Sequence, residues 1–189
     1  TLTWVSDINS IIMNGFKPIF VDVNLENLSM NTDQVIKKIN KKTLAVFITH
    51  AQGFNGLNKN ILQFLKRKKI HLIEDVCESH GAKFNKKKIG TYGIISNFSF
   101  YYAHHMTTIE GGMISTNNKK IYELSKILRS HGMVRESKNK NFELKMIKKY
   151  KEFSPKFIFL YPTLNFRNTE IGAAIGINQL KSLDSNNLK

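Results

Sequence analysis

The feature that most narrows what this chain can fold into is an alternation of short apolar runs with helically spaced segments. Leu44–His50 reads Leu-Ala-Val-Phe-Ile-Thr-His with no formal charge. A continuous run of that kind marks a strand buried on both faces, as strands of a parallel sheet are. Ile70–Asp75, residues 95–101 and Met113–Thr116 read as further strands, and Pro18–Val23 as a short one. Residues 7–14, stopped by Gly15, and Asp33–Ile39, behind an Asn31 or Thr32 cap, read as helices. So do 58–68 and 119–130, and the segment Leu164–Leu183 closes with a helix whose apolar positions Ile171, Ala174, Ile175, Ile177 and Leu180 fit one face. Strands separated by helices predict βαβ units, hence an α/β fold of three layers, α/β/α, around a mostly parallel sheet. Residues 137–152 are rich in lysine with weak periodicity and read as an excursion or a mobile loop. No internal repeat or domain boundary interrupts the pattern.

Composition removes several classes. The 189 residues suffice for one sizeable core, and no apolar run is long enough for a membrane-spanning helix. The single cysteine, Cys77, excludes an internal disulfide and fits a reducing cytoplasm. A net charge of +15 raises the question of nucleic acid. The lysines, however, are scattered over four stretches with few interleaved aromatics, which reads as solvated faces that would still attract anionic phosphates. Both ends read as interior to something longer: Thr1 enters a pattern already under way, and Lys189 follows a helical segment with no stop signal.

In open parallel sheets, ligands gather beyond the carboxyl ends of the strands. His50, Asp75, Glu78, Ser99 and His104 fall at strand ends or in the loops that follow. Such residues are also ordinary turn formers. The stretch Ser99–Gly112 stands apart: it holds adjacent imidazoles, His104 and His105, and ends in Glu110-Gly-Gly112. In this lysine-rich chain no lysine occurs between Lys88 and Lys119.

Taken together, the motifs resemble the sugar aminotransferase family called DegT/DnrJ/EryC1/StrS, of the aspartate-aminotransferase fold (fold type I). The likeness covers nearly the whole chain. It runs through Thr3-Trp4, Pro18–Val23, His50, Ile73-Glu-Asp-Val-Cys-Glu-Ser-His-Gly-Ala82, Gly90-Thr-Tyr-Gly93, Ser99-Phe100, Thr107-Thr-Ile-Glu-Gly-Gly112, Leu128-Arg-Ser-His-Gly132 and Asn165–Ala174. Members are longer, so residues 1–189 would be part of the cofactor-binding large domain, without an N-terminal segment and the C-terminal small domain.

The resemblance implies pyridoxal 5'-phosphate or pyridoxamine 5'-phosphate as cofactor. Asp75 matches the acid beside the ring nitrogen, which keeps the pyridinium an electron sink. Trp4 matches the aromatic stacked on the ring, Ser99 a phosphate-binding hydroxyl, and Asn165 a residue reaching the phosphate of a partner subunit, which implies a homodimer with shared sites. Glu78 stands where many members have Gln, near the phenolic oxygen. All but Asn165 have a plain alternative: a helix or turn cap for Asp75, core packing for Trp4, a surface turn for Ser99 and a surface acid for Glu78.

His104 departs from the aminotransferase pattern. Family aminotransferases carry their tethering lysine five residues after the phosphate serine and six before the acid of the Gly-Gly turn, and both counts land on His104. Imidazole forms no such tether, but it serves as an acid or base near neutral pH. His105 is the neighbouring assignment. The resemblance places a Lys-to-His exchange here in 3-dehydratases of nucleotide-linked 4-keto-6-deoxyhexoses, in deoxysugar or surface-polysaccharide synthesis. There the cofactor works untethered as pyridoxamine phosphate, and a donor such as glutamate restores its amine. Some members of that branch use an iron–sulfur cluster, which needs several cysteine thiolates; Cys77, the one cysteine, argues against a cluster. An ordinary sugar-nucleotide aminotransferase and a non-catalytic basic binding protein on the same fold are the other readings.

Overall fold

The structure is a computed structural model that describes residues 2–187. Helix α1 (Val5–Met13) starts at Trp4 and is followed by an extended stretch through residue 23. Helix α2 (Thr32–Lys38) is capped by Asn31, whose side chain accepts the Gln34 N–H. The uncharged run forms β1 (Ala45–Thr49), in which Val46 and Ile48 are buried. Helix α3 (Lys59–Lys68) is capped in the same way by Asn58, which accepts the Ile61 N–H, and buries Ile61 and Leu65. Strand β2 (His71–Asp75) pairs parallel with β1. A short antiparallel hairpin of β3 (Lys83–Phe84) and β4 (Lys87–Lys88) follows. Strand β5 (Ile95–Ser99) then returns parallel to β2.

The sheet order is β1-β2-β5-β6, where β6 (Gly112–Ser115) runs antiparallel to β5. Helices α4 (Lys119–Leu128), α5 (Lys140–Lys149) and α6 (Glu170–Asn186) complete the chain. The core joins Val35 of α2, Val46 and Ile48 of β1, Ile61 and Leu65 of α3, and Leu72 of β2, with Val21, Leu57, Val76 and Ile89 around them. Each such side chain contributes about 1.5–3 kcal/mol by leaving water. The mainly parallel α/β architecture agrees with the pattern of apolar runs.

Two expectations change. Pro18–Val23 is extended but lies outside the sheet, and its β-bridge joins Val23 to Met30. A groove of about 530 Å³ runs between this segment and the edge strand β1. The segment's backbone is instead answered by α2 and its cap: Asp22 N–H donates to Gln34 Oε1, and Lys38 Nζ to the Phe20 carbonyl. Residues 137–152 are not an irregular excursion, because they contain α5. Asn139 caps it by accepting the Phe142 N–H, and its lysines face solvent, which is why no apolar period shows. Among the described residues no helix is long and apolar enough to cross a membrane.

Candidate active site

Because β1, β2 and β5 are parallel, Thr49, Asp75 and Ser99 end on one edge of the sheet. Asp75 is buried there, and its Oδ1 accepts the Cys77 N–H at 3.0 Å and Asn97 Nδ2 at 2.8 Å. Burial, and then the Asp75 carboxylate beside it, push the Cys77 thiol well above its ordinary range, so it is not a nucleophile. Trp4 stands at the start of α1 and is 68% exposed. That helix end is moored to the sheet edge, since Thr3 Oγ1 lies 2.8 Å from Thr49 Oγ1 and donates to Asp7 Oδ2 at 2.7 Å.

Asp7 is a buried acid beside this edge that the sequence reading missed. It accepts from Thr49 Oγ1 at 3.2 Å, and Thr49 is the register partner of Asp75. Burial, and then Asp75, push its carboxyl up from 3.8 to about 7. In sequence it looks like a first-turn acid answering the helix dipole.

The loop between β5 and β6 presents the histidines. Its neck is closed by Phe100 N–H to the Gly111 carbonyl at 2.8 Å and Thr108 N–H to the Phe100 carbonyl at 2.9 Å. Ile109, a β-branched residue, is held at a φ of +72°, a strained conformation that the surrounding bonds must maintain. Within the loop His104 N–H donates to the Tyr101 carbonyl at 3.1 Å, and the Tyr101 ring meets the His104 ring edge-on at 5.8 Å. His104 is half-buried, whereas His105 is exposed. Beneath both sits His80, buried, with its ring 6.3 Å from that of His104, 5.9 Å from that of His105 and 5.8 Å from Phe100. Neither His80 nitrogen has a partner at hydrogen-bonding geometry. Burial, then His105 and His104, lower its pKa to about 4, and the Ser99 backbone offsets this only in part.

The remaining candidates divide. Ser99 Oγ accepts the Tyr101 N–H at 3.2 Å, and Glu78 accepts the Gln52 N–H at 3.1 Å across the loops after β1 and β2. Trp4, Asp75, Glu78, Ser99 and His104 thus share the carboxyl edge. Asn165 does not join them: it is exposed, bridges to Ser130, and accepts from Arg167 N and Nε, both at 3.0 Å. His50, at the end of β1, is structural. It is wholly buried, accepts the Gly56 N–H at Nδ1, and so leaves Nε2 to donate to Glu74 at 3.2 Å. The groove beside β1 is lined by Thr3, Asp7 and Thr49, but not by Trp4, Asp75, Glu78, Ser99 or His104.

This edge suits a flat cationic ring carrying a phosphate. A buried carboxylate with one oxygen already satisfied can meet a ring N–H, a strand-end hydroxyl can meet the phosphate, and the exposed indole offers a stacking face. The His104 side chain is an imidazole and offers no amine. Among the described residues no group of His, Cys, Asp and Glu is arranged to hold a metal ion.

A family model described as the DegT/DnrJ/EryC1/StrS aminotransferase family matches residues 1–189. GDP-4-keto-6-deoxy-D-mannose 3-dehydratase of Escherichia coli O55:H7 is 33% identical over 182 residues, which cover 96% of this chain and 47% of the relative. GDP-perosamine synthase of Escherichia coli O157:H7 is 33% identical over 184 residues, covering 97% and 46%. Among solved structures, E. coli GDP-4-keto-6-deoxy-D-mannose-3-dehydratase with bound hydrated PLP superposes with a TM-score of 0.84 at 31% identity, covering 97% of this chain and 47% of that one. A GDP-4-keto-6-deoxymannose-3-dehydratase with a trapped PLP–glutamate geminal diamine gives 0.84 at 30% identity, with the same coverage. The chain spans about half the length of the curated relatives it matches.

Proposed function

This chain belongs to the DegT/DnrJ/EryC1/StrS aminotransferase family, and from that premise we propose that it is part of an enzyme that removes the C3 hydroxyl of a nucleotide-linked 4-keto-6-deoxy sugar. The reading has pyridoxamine phosphate as cofactor and glutamate as amino donor. The observation that carries it is His104, an imidazole presented by the β5–β6 loop at the count where the family's aminotransferases have lysine, in a stretch from 89 to 118 that holds no lysine at all.

When bound, the cofactor supplies a pyridinium ring that withdraws electrons from an adjacent carbon. The chain's own residues do the rest. Asp75 holds the ring nitrogen's proton by offering it a buried carboxylate. Trp4 covers one ring face, and Ser99 anchors the phosphate. Glu78 sits where it can take up charge on the phenolic side. His104 moves a proton at an imidazole nitrogen, and it cannot tether the ring covalently. Asn165, exposed and outside this cluster, fits a role toward the other subunit of a homodimer. The lone Cys77, desolvated and beside Asp75, supports chemistry without an iron–sulfur cluster, and a cytoplasmic setting fits it. The scattered lysines give no reason to invoke nucleic acid or a membrane as partner.

The test uses the full-length protein. Borohydride treatment with cofactor should leave no lysine adduct, and incubation with a GDP- or CDP-linked 4-keto-6-deoxy sugar and glutamate should give a 3-deoxy product. A lysine-linked adduct, or an amino sugar as the stable product, sinks the reading. The second outcome is that of the alternative, a sugar-nucleotide aminotransferase, which the similarity to GDP-perosamine synthase favours.

A further inference from the structure

Asp7 has no place in that reading, yet its surroundings are built with care. Thr3 and Thr49 both direct hydroxyls at its Oδ2, so Oδ1 is the oxygen left to carry a proton. Across from it, Asp75 has Oδ1 committed to Cys77 N–H and Asn97 Nδ2, which leaves Oδ2 for another donor. Thr49, which donates to Asp7, is the register partner of Asp75 across β1 and β2, so both carboxyls sit at one end of the sheet, and both residues are more than nine-tenths buried, at 6% and 4% exposure. Two carboxylates so placed do not both ionise readily, and the stable arrangement holds one proton between them.

We propose that Asp7 is a positioning residue for Asp75: it donates a shared proton to Asp75 Oδ2, fixing that carboxylate's orientation and setting how much negative charge the ring nitrogen of the cofactor meets. This rests on the functional reading given above. With Asp7 protonated, the pair presents a single charge. Once Asp7 ionises, the pair presents two, and a cationic ring is held more tightly. The other titratable group facing the pair is Cys77, which stays a neutral thiol. Lys17, Lys38 and Lys42 line the groove on which Asp7 opens, but the hydrogen bonds made to the Asp7 carboxyl come from Thr3 and Thr49.

The experiment has two independent arms on the full-length protein. In the first, carboxyl ¹³C NMR of the cofactor-free protein follows Asp7 with pH, assigned by loss of its signal in Asp7→Asn. A midpoint near 7 that falls in Asp75→Asn supports the shared proton, and a midpoint below about 5 overturns it. In the second, pyridoxamine phosphate affinity is measured by fluorescence quenching from pH 5.5 to 8.5 for wild type and Asp7→Asn. Taking the ratio of the two cancels the cofactor's own titrations. The ratio should change on the order of tenfold across pH 7, wild type gaining affinity as pH rises; a flat ratio overturns the proposal. Should Asp7→Asn fail to fold, Asp7→Thr replaces it in both arms. If wild type binds no pyridoxamine phosphate at all, the functional reading fails, while the first arm still decides the carboxyl pair.

Discussion

The imidazole of His80 packs 6.3 Å from that of His104 and carries no hydrogen bond on either nitrogen. The loop histidines therefore rest on a buried ring that resists protonation, since its pKa lies near 4, lowered first by burial and then by His105 and His104. A neutral neighbour leaves His104 free of a fixed adjacent cation.

That arrangement makes acid stability depend on His80. Its folded pKa is below the ordinary 6.5, so the unfolded chain takes up a proton that the folded one refuses. Stability is lost as pH falls from about 6.5 towards 4, by up to about 3 kcal/mol. His80→Leu removes the titration along with two unpartnered nitrogens. Thermal melts should show the Tm of the variant rising relative to wild type as pH drops from 7 to 4.5. A difference that stays constant with pH would show that His80 is not neutral and buried as described.

His104→Ala tests the chemistry and not the fold, because the side chain is half-buried in a loop pinned by backbone bonds. Dehydration of the keto-sugar should fall by about 10²–10⁴-fold, the usual contribution of a positioned acid–base group, with pyridoxamine phosphate affinity kept within a few-fold. His104→Lys should instead yield a borohydride-trapped adduct. A loss of cofactor affinity equal to the loss of rate in His104→Ala would reassign the residue to binding.

Much of this was legible before any coordinates. Apolar runs give β1 and β2, and helical spacing behind an Asn31 or Thr32 cap gives α2, because burial on both faces and side-chain capping leave direct marks in composition. His104 was found by counting from Ser99 and Glu110. Pro18–Val23 was misread because an apolar extended segment looks the same whether or not a strand lies beside it. Helix α5 was hidden because it buries no residue, so no period of 3.6 is written into it. Asp7, Glu74 and His80 escaped for a common reason. Their roles arise from contacts between strands and loops far apart in sequence, and no local pattern separates a buried acid from a capping one.

Asp7 bears on stability with the opposite slope to most acids. Its carboxyl titrates at about 7 when folded and at 3.8 when not. Between those values the folded state holds the extra proton, so stability declines as pH rises from about 4 to 7 and levels off above. The displacement corresponds to about 4 kcal/mol at its largest. Asp7→Asn keeps a donor for Asp75 and removes the charge. Its Tm relative to wild type should therefore rise between pH 5 and 8, as chemical or thermal denaturation at matched ionic strength can read. A falling difference would mean that Asp7 is ionised and stabilised at neutral pH.

Glu74 follows the ordinary sign. It is wholly buried, which alone would raise its pKa, but His50 Nε2 and the N–H groups of Gly93, Gly90 and Tyr92, at 3.2, 2.6, 2.7 and 2.8 Å, outweigh this and hold the carboxyl below its ordinary 4.5. These bonds fold the Gly90–Gly93 turn onto β2, where a Cβ on Gly93 would fall 2.6 Å from the Leu72 carbonyl oxygen. The stabilisation is present above the unfolded pKa and is lost as pH falls through the lower folded value. Glu74→Ala leaves three backbone donors and an imidazole unpaired in the interior and should cost about 3–5 kcal/mol at pH 7. Glu74→Gln retains one acceptor oxygen but turns an amide N–H₂ towards donors, and should cost nearly as much. Urea denaturation of both variants at pH 7 is the measurement, and a loss under about 1 kcal/mol in Glu74→Ala would mean that the turn does not depend on this carboxylate.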